Sequence, residues 1–154
     1  MMWLNLIGIQ LLARFFLVVM FPFSALDKII NYRQALAQAT SSFLPGGKIL
    51  LILAIIVEVV TPVCIVLAWH DRLAAFVLAG FCAITALLYH EFWEYDDFWQ
   101  PGDSKARSHF WDFLKNFGLV GGLMLIILLG NFVPATSVIQ HPLSSAPLGA
   151  WPVE

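Results

Sequence analysis

The chain has 154 residues, room for one compact domain, and is 60% hydrophobic with only 12% charged residues. Soluble domains carry roughly 25% charged residues, so this composition excludes an ordinary water-soluble fold and names lipid as the solvent. A net charge of −2 offers no basic field for nucleic acid. Cys64 and Cys82 stand singly in apolar runs, without a Cys-x-x-Cys pair or metal spacing, which excludes dithiol-relay chemistry and predicts two buried thiols.

The first hydrophobic run, Leu4–Leu26, carries Arg14 and flows into Phe21–Pro22–Phe23 with no basic n-region and no small-residue cleavage site. It therefore reads as a retained membrane helix rather than a signal peptide, with a kink at Pro22. Asn31–Gly47 is the first connection. Tyr32, Leu36 and Phe43 suit the apolar side of a short helix at the membrane surface, ended by Leu44–Pro45–Gly46–Gly47.

The stretch Ile49–Trp69, ILLILAIIVEVVTPVCIVLAW, has one ionisable side chain, Glu58, at its middle. A hydrocarbon core of roughly 30 Å takes about 20 helical residues, so this is a second span with a carboxylate at depth. Such a group costs a few kcal/mol unless it is paired. Pro62 lacks an N–H, so the Glu58 carbonyl loses its usual helical partner as well. A structural anchor and a functional group both remain open for Glu58. Depth arithmetic offers Arg14 as its partner. Glu58 lies about 15 Å in from Lys48 and Arg14 about 21 Å from Lys28, a gap two side chains can close, so an intramembrane Arg14–Glu58 ion pair is expected.

His70–Asp71–Arg72 is a turn short enough to make helices two and three antiparallel neighbours. Helix three runs from about Leu73 to His90, with Ala75, Ala79, Gly80, Ala83 and Ala86 as a small-residue stripe. Glu91–Ser108 is polar, acidic and aromatic, turning at Pro101–Gly102. Helix four follows over roughly His109–Phe132, with Gly118 and Gly122 as a Gly-x-x-x-Gly pair expected to face helix three. The fold class is thus all-α, an integral membrane four-helix up-down bundle over residues 1–133, with a Pro-rich irregular tail at 134–154. Lys28, Arg33, Lys48, Lys105, Arg107 and Lys115 stand on the side of the long loops and only Arg72 opposite. That asymmetry puts the long loops in the cytoplasm and both termini outside.

Up-down topology brings the end of helix one, the start of two, the end of three and the start of four to one membrane face. Lys28, His90, Trp93, Asp112, Lys115 and Asn116 fall there, amid Tyr89, Phe92, Tyr95, Phe98 and Trp99. Apolar access, aromatic walls and a few hydrogen-bond donors suit a flat redox-active head group such as a quinone. Lys28 and Asn116 would donate to it, Trp93 would stack and His90 would carry protons, with Asp112 holding Lys115 or His109. An ordinary interfacial aromatic belt gives the same composition. His90 and His109 sit at helix ends, where a transmembrane haem does not take its ligands, so no metal or haem is expected.

The order and spacing of these motifs resemble the DoxX family of small bacterial membrane proteins, from Arg14 to about Gly130. Arg14 followed by FFLVVMFPFSALDKI, ending in Lys28, resembles its first helix, and Glu58 the glutamate of its second. YHEFWE, with His90 and Trp93, resembles the end of its third, and FLKNFGLVGGLMLI, with Lys115, Asn116 and Gly122, the opening of its fourth. Ala25 departs from the family, which often has glycine there. The resemblance implies an inner-membrane protein, surrounded by lipid, serving quinone-dependent or thiol-related oxidoreductase systems as a small subunit beside a larger partner. The readings it leaves are a subunit that helps form a quinone site, a non-catalytic assembly or anchoring subunit, and a small-molecule transporter, which lacks a polar path.

Overall fold

The structure is a computed structural model describing residues 2–41 and 44–129; Phe43 and the 134–154 tail lie outside the described residues. All its elements are helical: α1 (Met2–Val18), α2 (Met20–Ile30), α3 (Tyr32–Ser41), α4 (Gly47–Val66), α5 (Asp71–Tyr89), a short 3-10 turn (Phe92–Glu94) and α6 (Lys105–Leu129). Four stretches are long and apolar enough to cross a bilayer, Gly8–Ile30, Gly47–Val66, Asp71–Glu94 and Lys105–Leu128. The protein is a multi-pass membrane bundle.

The first span, Gly8–Ile30, passes from α1 to α2 at Val19, which stays right-handed helical (φ −58°, ψ −29°) and still donates its N–H to the Phe15 carbonyl (2.8 Å). Proline's missing N–H and its ring both act on the carbonyl four residues earlier, here Val18, so the loosening expected at Pro22 is felt one turn upstream, where α1 meets α2. Pro62, by contrast, sits inside α4 without ending it.

The second helix ends in a Schellman motif. Trp69 N–H donates to the Cys64 carbonyl (2.9 Å) and Ala68 N–H to that of Ile65 (3.3 Å). This places Ala68 at φ 54° and His70 at φ 49°, in the left-handed region, where glycine would be expected. The result is a turn tight enough to set α4 and α5 side by side.

Packing is concentrated at the short-turn half of the bundle. Val18, Phe21, Cys64, Ile65, Ala75, Leu78, Cys82 and Leu123 form its core, and both cysteines are free and buried. Of the predicted stripe on α5, Ala75, Ala79 and Ala86 are buried, Ala83 is half-buried and Gly80 faces outward; Ala74, outside the stripe, is buried as well. The glycine pair of α6 behaves otherwise than expected. A Cβ on Gly122 would meet Leu17 Cδ1 of α1 at 2.8 Å, while one on Gly118 would meet nothing within 4 Å. The pair serves α1, at one position only, although α5 is the helix that packs most extensively on α6.

The surface helix is α3. It packs against α2 and α4 with Ala39 buried, while Tyr32 is 42% exposed. Its C-terminal end presses on the start of α4, where a Cβ on Gly47 would lie 3.2 Å from Thr40 Cα. The loop half of the bundle, roofed by α3, is left less filled.

Candidate functional site: a polar-ended cavity in the loop half

Helix α2 places Ser24 and Lys28 one turn apart on the face toward α4. Lys28 Nζ donates to Ser24 Oγ (2.6 Å) and to both Glu58 oxygens (2.8 and 2.9 Å), and Ser24 Oγ donates to Glu58 Oε1 (3.1 Å). The Glu58 side chain is 4% exposed and that of Lys28 25%. A carboxylate at this depth is thus matched by one cation and one hydroxyl, which satisfies the demand that buried charge be paired and hydrogen-bonded.

The expected Arg14–Glu58 pair does not form. Arg14 Nη1 donates to Asp71 Oδ2 (2.7 Å) and to the Ile65 carbonyl (2.9 Å), tying α1 to the end of α4 and the first turn of α5. Both acceptors sit where the helix termini favour these charges. The depth arithmetic failed because it took Lys28 and Lys48 as level. Lys28 reaches Glu58, about 15 Å along α4 from Lys48, since α3 fills the interval between the end of α2 and the start of α4.

Beside this triad is a cavity of about 380 Å³, enclosed by α2, α3, α4 and α5 with Asn116 of α6 at its edge. Its polar lining includes Ser24, Lys28, Glu58, His90 and Asn116, and the remainder is largely aliphatic, as at Leu51, Ala54 and Val57. Met20, Leu53 and Ile84 also line it and are each about half exposed, so it meets the outer apolar surface. A second hollow of about 540 Å³ lies against α6, lined by Met20, His90, Asp112, Lys115, Asn116, Gly118 and Leu119.

Three of the six predicted residues, Lys28, His90 and Asn116, line the main cavity. Asp112 and Lys115 line only the outer hollow, where they pair with each other at 3.0 Å in an exposed bridge. Trp93 lines neither. It is 53% exposed and packs edge-on against Phe92 and Phe113, so it offers no stacking wall to the cavity. Asn116 Nδ2 donates to the Asp112 carbonyl (3.0 Å). Nδ1 of His90 and of His109 are buried without a hydrogen-bond partner, and the two rings lie 5.8 Å apart. Among the described residues no three His, Cys, Asp or Glu side chains group as metal ligands do.

Sequence reasoning missed Ser24 and Glu58 as members of the same site. The signal was there: Ser24 is four residues before Lys28 and therefore on its face, and Glu58 is the one acid in its span.

The loop beside the site is held from α6. Asp97 accepts the N–H groups of Lys105 (2.7 Å) and Ala106 (2.9 Å), capping α6 from eight residues upstream of Lys105. The Ala106 N–H above all, with the Lys105 N–H and the Ser104 side chain, holds the Asp97 carboxyl below its ordinary range. Arg107 donates to the carbonyls of Phe98, Gln100 and Gly102, fixing the turn that projects Trp99, 90% exposed.

Compared with known proteins, the chain matches the DoxX family model over residues 9–91. The matched segment carries Arg14, Ser24, Lys28, Glu58, Asp71 and His90, and it ends before α6. No curated protein and no solved structure matches.

Proposed function

The chain belongs to the DoxX family, and from that premise we propose that it is a small bacterial inner-membrane subunit of a quinone-linked oxidoreductase system whose cavity takes the quinone head group. The observation that supports this most is the cavity itself. It is of ligand size, apolar over most of its lining, and supplied with polar groups by Ser24, Lys28, Glu58, His90 and Asn116.

The donor set fits such a group. Asn116 gives one amide hydrogen to Asp112 and keeps a second for a carbonyl oxygen. His90 has a ring nitrogen with no protein partner and belongs to the residue type that exchanges protons near neutrality. Lys28 spends its ammonium on Ser24 and Glu58; its part is to pair with Glu58 and hold it in place, not to grip the ligand. A quinone held there would supply reversible electron and proton carriage. The chain's own residues orient it and hold protons, while the electrons come from a larger partner.

A second reading, an anchoring subunit with no ligand of its own, draws on the braced loop that presents Trp99 and Trp93 at the bundle's end. Extraction of the gently purified chain separates the two. The quinone reading expects bound quinone in the wild type and its loss in His90→Leu and Asn116→Leu. Quinone-free wild-type protein that still co-purifies with a partner would favour the anchor.

A further inference from the structure

The cavity and the outer hollow share Met20, His90 and Asn116. The two therefore lie side by side across these three residues, and the second, lined further by Asp112, Lys115, Gly118 and Leu119, runs along α6 on the side of Met20 of α2. How that hollow arises can be followed along one face of α6. Gly122 and Gly118 are a turn apart and point the same way. At Gly122 the face is closed by Leu17 of α1, 2.8 Å from where a Cβ would stand. At Gly118 the same face opens on nothing within 4 Å. Between these levels the neighbouring chain passes from α1 to α2, and α2 packs on α4 and α3 and makes no substantial contact with α6 among the described residues.

We infer that this α2–α6 cleft receives the apolar tail of an amphipathic, lipid-soluble ligand whose head group occupies the cavity, with Gly118 as the notch that admits it. The inference rests on the quinone reading and deepens it. The head enters past Met20, His90 and Asn116, and the tail stays against Gly118 and Leu119. Continuity with the cavity is what selects this occupant over a free acyl chain. A phospholipid could set its head group against Lys115 at this hollow but would leave the cavity empty, whereas a long-tailed ligand with its head beyond His90 and Asn116 fills both.

The test compares two benzoquinones with one head group, a short-chain and a long-chain prenylated form, added to the full chain purified in detergent. Retention after gel filtration is measured by extraction. Gly118→Leu fills the notch, Gly118→Ala fills it partly, and Gly121→Leu adds the same bulk at an exposed position outside both hollows. The expected result is at least a tenfold loss of long-chain affinity in Gly118→Leu and a smaller loss in Gly118→Ala. Short-chain binding should be unchanged in both, which also reports an intact fold, and Gly121→Leu should match wild type. Unchanged long-chain binding in Gly118→Leu would overturn the tail route while leaving the head site standing. Equal loss of both quinones would overturn it too, as would displacement of a co-purifying phospholipid alone. A wild-type chain that retains neither quinone would sink the quinone reading itself, and this inference with it.

Discussion

Removing the Lys28 ammonium should leave the Glu58 carboxylate at 4% exposure with a single hydroxyl partner, Ser24 at 3.1 Å. Breaking a buried ion pair by deleting one member costs about 3–5 kcal/mol, and insertion scales put a lone acid at mid-membrane near 3 kcal/mol. The surviving Ser24 bond recovers part of this, so Lys28→Met should destabilise by about 3 kcal/mol. Glu58→Gln should cost less, about 1–2 kcal/mol, because Lys28 is a quarter exposed and its long stem can carry the charge outward. Removing both charges takes away the uncompensated ion, so the double variant should sit within about 1 kcal/mol of wild type. The coupling between the two positions then comes to about 3–5 kcal/mol. Reversible unfolding in mixed micelles, titrated with dodecyl sulfate and followed by circular dichroism, measures it. The partner assignment is tested in the same series: Arg14→Met with Glu58→Gln should add to within about 0.5 kcal/mol, as for non-contacting sites. A Lys28–Glu58 coupling below about 0.5 kcal/mol would refute the pairing.

Four further outcomes follow from the geometry. Ala68→Gly should stabilise by about 1 kcal/mol in the same assay, since Ala68 holds a left-handed conformation at φ 54° that glycine adopts without strain. Gly47→Ala should cost about 1–3 kcal/mol because its Cβ meets Thr40 backbone, whereas Gly122→Ala meets only the swinging end of Leu17 and should cost under about 1 kcal/mol. The folded Asp97 carboxyl lies below its ordinary value, so its capping of α6 is intact above that value and lost as pH falls through the folded one; the Lys105 and Ala106 amide shifts should titrate in acid, and Asp97→Asn should abolish the transition. Reporter fusions after Lys105 should read cytoplasmic and fusions to the C-terminus external, because Arg33, Lys48, Lys105 and Arg107 outnumber Arg72 even with Lys28 engaged at depth.

The spans were legible because a 20-residue apolar run such as Gly47–Val66 has few alternatives. The short helix at Tyr32–Ser41 showed in its punctuation by Gly46–Gly47. What depended on relative depth was not legible. Charges on different helices can be matched only when the helices' vertical offsets are known, and those offsets come from α3, whose placement is a tertiary fact. Lys28 therefore took the partner that arithmetic had given to Arg14. The site failed in a related way. His90 and Trp93 are three residues apart, yet the chain leaves α5 at Tyr89 and turns, so His90 faces the cavity and Trp93 the outside. The Asp97 cap was invisible for another reason: an acid eight residues ahead of a helix follows no local capping pattern.

The Arg14–Asp71 bridge has a consequence for biogenesis. Its members are 57 residues apart in the chain. At roughly 5–20 residues per second of synthesis, Arg14 waits about 3–11 s between emerging and meeting Asp71. Throughout that interval the first span carries a cation with no acid to answer it, and Lys28 is in the same position until Glu58 arrives 30 residues later. The nascent first helix is thus a poor candidate for release into lipid by itself. It should linger at the insertion machinery, or at the membrane surface, until the α4–α5 hairpin is delivered. The last helix adds no ion pair to this lock, so α6 closes a bundle whose charges are already settled.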